Sequence, residues 1–162
     1  MSYFYFHRLL SNEHVNIIKD QFNIKDLQHV NGPLLSRNQL RLDNKIVKTI
    51  IEDLFNRCKA KIGDTNMKFD PSYIEVRSYF KDDYFDWHID YETMPKADHP
   101  IYEFVVTLDN ASDSLTEVKN NDKIDSFKTS QGDVFIVTRH GAEHRVTKVT
   151  TGYRTIIKFR SL

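Results

Sequence analysis

Two histidines and an aspartate, His88, Asp90 and His144, together with Arg154, are the residues of this chain whose types and spacing could do chemistry. They stand in Trp87-His88-Ile89-Asp90 and in the run from His144-Arg145-Val146 to Gly152-Tyr153-Arg154. Two imidazoles and one carboxylate are the ligand set that suits a non-haem Fe(II) with open coordination positions. An arginine shortly after the second histidine offers a fork for a carboxylate. Side chains alternate along a strand, so a strand over 87–91 would put His88 and Asp90 on one face and Trp87 and Ile89 on the other. His144 would then come from a distant strand, as inward residues of a barrel do. A His-x-Asp pair alone is weak, and His7, His14, His29, His99 and His140 show that histidine also occurs here without a motif. Combination and order carry the argument.

The first third of the chain reads as helical support. Residues 11–22 place Val15, Ile18 and Phe22 on one face, and Asp43 is a candidate N-cap for a longer helix to residue 61. There Ile46, Val47, Ile50, Ile51, Leu54, Phe55 and Cys58 recur at helical spacing, and Gly63 is the expected stop. Beyond Pro71 the texture changes to strand formers over 73–80, 87–91, 101–108, 134–138, 145–149 and 153–159, the last two joined at Thr151-Gly152. The aromatic run Tyr3-Phe4-Tyr5-Phe6 reads as an edge or core strand. Helices followed by many short strands predict a mainly β (α+β) fold, a sandwich or barrel with helices outside.

Composition sets bounds. A chain of 162 residues is expected to be one domain with a core that needs no disulfide, the helical support lying over about 11–62 and the β core over about 72–160. Lys plus Arg equals Asp plus Glu, 23 each, which disfavours a protein whose affinity comes from neutralising a nucleic-acid backbone. The single cysteine, Cys58, fits a reducing compartment and a buried, unreactive position. No signal peptide or membrane span is read, so a cytoplasmic protein is expected. Arg139, His140, Arg145, Lys148, Lys158 and Arg160 make the last quarter basic, mostly as solvated strand faces, while Asp82, Asp83 and Asp86 form an acidic loop before the first histidine. The segment 91–100, with Met94, Pro95, His99 and Pro100, is the expected lid.

From Tyr79 to Phe159, about half of the chain, the sequence resembles the Fe(II)/2-oxoglutarate-dependent dioxygenases, in their prolyl-4-hydroxylase-like branch. The residues that carry the resemblance are Tyr79, His88-Ile89-Asp90, Leu108-Asp109-Asn110, Gly132-Asp133-Val134-Phe135 and the stretch from His144 to Arg154. The resemblance implies a double-stranded β-helix (a jelly-roll) with supporting N-terminal helices. It implies His88, Asp90 and His144 as iron ligands, Arg154 as the partner of the distal carboxylate of 2-oxoglutarate, and Tyr79 as a second contact to that cosubstrate, with O2 as the other. It assigns no catalytic residue beyond the ligands and gives His140 no role. The implied reaction is hydroxylation of a C–H bond, with Asp90 favouring hydroxylation over halogenation. The substrate would be a prolyl or other residue of a protein or peptide, or a free amino acid.

The chain departs from that branch at Asp82-Asp83, Phe85 and Ser114-Leu115-Thr116-Glu117-Val118, positions that bear on the substrate pocket rather than the metal. Two alternatives stand beside the hydroxylase: a nucleobase-modifying oxygenase of the same fold, disfavoured by charge and by the single arginine spacing, and a β-helix binding module without activity, disfavoured because all three ligands and Arg154 are retained. Neither the substrate nor the oligomeric state is legible.

Overall fold

The structure is a computed structural model and describes residues 3–32, 34–39, 41–91, 95, 100–138 and 141–162. The described elements begin with β1 (Tyr3–Phe6), α1 (Asn12–Lys19), β2 (Gln28–Val30), β3 (Leu34–Gln39) and α2 (Lys45–Ile62). There follow β4 (Phe69–Tyr79), β5 (Tyr84–His88), β6 (Tyr102–Asn110), β7 (Thr116–Asn120), β8 (Lys123–Phe127), β9 (Val134–Thr138), β10 (His144–Val146) and β11 (Arg154–Ser161). Every described pairing is antiparallel. The strands run β1-β9-β6-β11-β4-β3-β5-β10-β7-β8, with β2 on β3. β3 makes the corner, pairing with β4 through Arg37 to Gln39 and with β5 through Leu34 and Leu35. The sheet therefore folds into a major leaf (β1, β9, β6, β11, β4) and a minor leaf (β5, β10, β7, β8), the double-stranded β-helix arrangement expected from the sequence.

Alternation on the major leaf sorts its residues by face. Ile74, Val76, Phe104, Val106, Ile136, Ile157 and Phe159 point outward into one core with Val15 and Ile18 of α1 and Val47, Ile51, Leu54, Phe55 and Cys58 of α2. Cys58 is the inert buried residue expected, its thiol pushed up to about 12 by burial. The opposite parity on the same strands, including Tyr79, Val105, Phe135, Val137, Arg154, Ile156 and Lys158, faces the minor leaf. Because β11 is hydrogen-bonded on both edges and covered on both faces, even its polar residues from Arg154 to Lys158 are buried.

The structure corrects several expectations about these elements. Residues 28–30 and 34–39 form strands rather than helical support, and β7 and β8 form a hairpin over Asn121, whose φ of 56° supplies the turn. α1 stops at Lys19, and Phe22 is only half-buried. Ile46 lies on the solvent side of α2, 51% exposed, because burial follows Val47, Ile50, Ile51, Leu54, Phe55 and Cys58. The N-cap of α2 is Asn44, whose side chain accepts from the Val47 N–H, while Asp43 pairs with Lys48. Asn44→Ala is therefore expected to cost about 1 kcal/mol in urea unfolding, and Asp43→Ala, at an exposed and solvent-screened ion pair, to cost less than Asn44→Ala. The reverse ranking would restore Asp43 as the cap. Gly63 ends α2 as expected, at φ 79°. No helix among the described residues is long and apolar enough to cross a membrane.

Candidate metal centre

His88 is the last residue of β5, and His144 the first of β10. The two strands pair with His144 directly opposite His88, and the ring centroids are 4.3 Å apart. Asp90 lies two residues past the end of β5, in a turn, so strand alternation is not what orients it. That turn runs into Tyr91, which takes a left-handed φ of 63°, uncommon for a bulky residue. The turn brings Asp90 Oδ1 to 3.2 Å from His88 Nε2 and Oδ2 to 3.5 Å from His144 Nε2. One potential ligand atom from each of the three residues lies within 4.8 Å of the others.

The histidines are set to present Nε2. His88 Nδ1 is 2.7 Å from the Asp86 carbonyl oxygen and His144 Nδ1 is 3.0 Å from that of Ala142. A carbonyl only accepts, so both Nδ1 atoms carry the hydrogen and both Nε2 lone pairs face Asp90. The Phe85 ring stacks on His88 at 3.5 Å and 3°, and Phe135 meets His144 edge-on at 5.8 Å. Burial pushes His88 below the usual imidazole range, aided by the neighbouring His144. Burial alone would raise the Asp90 carboxyl, but Lys158 and His144 outweigh it and hold it well below the usual range. His144 is raised, because Asp90 overcomes the desolvation that would lower it. A carboxylate kept charged beside two imidazoles with free Nε2 atoms fits a divalent cation of intermediate softness. Asp90 Oδ2 is buried without a hydrogen bond of its own, as an atom reserved for a ligand would be.

Arg154 opens β11, opposite Tyr79 of β4 and Asn110 of β6. It is 1% exposed, and among the described residues Nη2 donates to Thr116 Oγ1 at 2.7 Å while Nε and Nη1 have no hydrogen-bond partner. Burial lowers its affinity for the proton, with Tyr79 and Tyr5 acting the other way, but a guanidinium stays charged. An unpaired buried cation of this kind costs several kcal/mol unless something answers it. The cavity it faces is lined by Tyr79, Thr116, His88 and His144 and walled by Phe85, Val105, Phe135, Val146 and Ile156. The arrangement sets a buried cation and the two histidines around one cavity.

All five residues expected at the site, His88, Asp90, His144, Arg154 and Tyr79, thus lie around one region. Several others there were not expected. Lys158, which the sequence suggests is one of the solvated basic residues, is buried on the site face of β11 and paired with Glu103 of β6. The signal was present, since residues 154, 156 and 158 share parity on one strand. Thr116 and Arg77 gave no local signal. The acidic loop is partly structural, with Asp83 Oδ2 accepting from the Phe80 N–H. Most of the expected lid over 91–100 lies outside the described residues, as do Arg139 and His140.

No family model matches the chain, and neither does any curated protein. Solved structures do. The viral collagen prolyl hydroxylase of Paramecium bursaria Chlorella virus-1, as its 2OG complex, superposes with a TM-score of 0.73 at 15% identity, over 99% of this chain and 96% of that one. A prolyl-4-hydroxylase from Pseudomonas putida gives 0.76 at 11% identity, over 98% and 92%. HygX from Streptomyces hygroscopicus, with nickel, 2-oxoglutarate and hygromycin B bound, gives 0.71 at 12% identity, over 98% and 81%. At these identities the likeness establishes the fold.

Proposed function

We propose that this chain is an Fe(II)- and 2-oxoglutarate-dependent dioxygenase that hydroxylates a C–H bond. The observation that carries the reading is Arg154, a buried guanidinium with two unpartnered nitrogens, facing the same cavity as two histidines that present Nε2 beside Asp90. His88, Asp90 and His144 would hold the iron and Arg154 the distal carboxylate of 2-oxoglutarate, with Tyr79 beside it. When bound, iron with 2-oxoglutarate and dioxygen supplies the oxidising equivalent for C–H hydroxylation.

The chain's own part is positioning. The Asp86 and Ala142 carbonyls fix both imidazole tautomers, so neither ring turns its N–H toward the metal side. Thr116 holds one arm of Arg154 and leaves the rest of its fork for a carboxylate. The apolar side chains Val105, Phe135, Val146 and Ile156 keep bulk water from the space between the two ends, which strengthens the charge pairing there. The substrate is a prolyl or other residue of a protein or peptide, or a free amino acid. Proteins of this fold bind peptides and small molecules alike, a prolyl hydroxylase from Trichoplax adhaerens being in complex with a hypoxia-inducible-factor peptide fragment and HygX having hygromycin B bound. The single buried thiol suits a reducing compartment.

The test is titration of 2-oxoglutarate into anaerobic, Fe(II)-loaded protein, with the visible metal-to-ligand charge-transfer band as readout and His144→Ala as control. A band in the wild type that is absent from the control supports the reading. A folded, iron-binding wild type without a band removes it and favours a binding module.

A further inference from the structure

We propose that Arg77 is a second residue that binds the cosubstrate, gripping the metal-proximal end of the dicarboxylate whose distal end Arg154 takes; the inference rests on the function proposed above. Arg77 lies on β4 in the same parity as Tyr79 and directly opposite Ile156 of β11, between the levels of Arg154 and Lys158. Lys158 marks the metal side, since its partner Glu103 lines a cavity together with Asp90. A ligand running from Arg154 to the histidines therefore passes Arg77, which lines the same cavity.

The side chain is built to donate there. Arg77 is 7% exposed. Its Nε donates to Glu75 Oε1 at 2.7 Å, and its Nη2 pairs with the same oxygen at 2.5 Å. Glu75 is itself held by Asn38 Nδ2 and the Tyr73 hydroxyl, so one edge of the guanidinium is locked. Its other face lies 5.3 Å from the Phe85 ring centroid, the ring that stacks on His88. Nη1 is buried without a hydrogen bond among the described residues, with the Tyr79 hydroxyl close beside the guanidinium. Lys158 differs in that its single nitrogen pairs with Glu103 and is not among the unbonded buried atoms. Two guanidinium groups with unspent donors in one small cavity match a ligand with two carboxylates better than a ligand with one.

The experiment is calorimetric titration of Mn(II)-loaded protein, where Mn(II) is a redox-inert stand-in, with 2-oxoglutarate and with 2-oxopentanoate, which lacks the distal carboxylate. The variants are Arg154→Met, Arg77→Met, and Glu75→Gln combined with Arg77→Met, the last because Arg77→Met alone strands a buried carboxylate. Removing a charge-assisted donor at the shared end should weaken both ligands about tenfold and leave their ratio unchanged. Arg154→Met should instead erase the ratio. Mn(II) affinity should be unmoved in the Arg77 variants. Wild-type affinities for both ligands in both Arg77 variants would overturn the proposal and leave the proposed function standing. So would a loss of Mn(II) in step with the ligands, which would make Arg77 a prop for His88 through Phe85. A wild type that takes up Mn(II) but binds neither ligand would bring down the proposed function and this inference together.

Discussion

Arg154→Met is expected to stabilise the ligand-free protein and, in the same variant, to weaken 2-oxoglutarate by about thirtyfold or more. The two effects have one cause. In the ligand-free fold the guanidinium is 1% exposed, has one neutral hydrogen-bond partner in Thr116, and leaves two nitrogens unanswered. Methionine of similar length removes that cost and loses one hydrogen bond, a net gain of roughly 1–3 kcal/mol, or several degrees in thermal midpoint for a chain of this size. With a carboxylate bound, the same guanidinium becomes half of a buried, charge-assisted pair, whose truncation costs about 2–5 kcal/mol. Arg154→Lys should fall between, since it keeps the charge and loses the fork. Differential scanning calorimetry with and without 2-oxoglutarate reads both effects. A drop in midpoint for Arg154→Met without ligand would mean that the arginine is structural, and the cosubstrate assignment would fail.

Asp90→Ala is expected to abolish turnover and to lower Fe(II) affinity by about two orders of magnitude or more. Changing a residue that merely orients a ligand typically costs ten- to a hundredfold in metal affinity, and Asp90 would be a ligand and the only anion among the three. The variant leaves two imidazoles, each still fixed through Nδ1, so the histidine geometry survives and the loss isolates the carboxylate. The fold should survive as well, because the partner that Asp90 shares, Lys158, keeps its ion pair with Glu103. Competition for Fe(II) with a chromophoric chelator, alongside circular dichroism, makes the measurement. Metal affinity equal to wild type in a folded Asp90→Ala protein would remove Asp90 from the ligand set and the hydroxylase reading with it.

Much of the site is legible in the sequence because its residues sit in short, ordered motifs. His88-Ile89-Asp90 spans the end of β5 and the turn after it, and the run from His144 to Arg154 joins β10 to the start of β11, so each motif is short and local in the chain. The alternating stretch through Tyr79 and the helical stripe through Val47, Ile51, Leu54 and Cys58 are readable for the same reason, since local periodicity reports which face is buried. The strands at 28–39 and 116–127 are not readable. They are short, polar and half-exposed, and their pairing is settled by β4, β5 and β10 rather than by their own composition.

By itself the sequence determined the candidate ligand residues, their order, the parity of β4 and β11, and a core that needs no crosslink. Tertiary structure alone decided that His144 lies opposite His88, that a turn rather than a strand aims Asp90, and that Lys158 and Arg77 are buried cations. The physical reason is that burial of a charge belongs to the closed sheet. Arg77 and Lys158 occupy strand positions whose burial shows only once the minor leaf covers them, and only then does it matter which anion each has found.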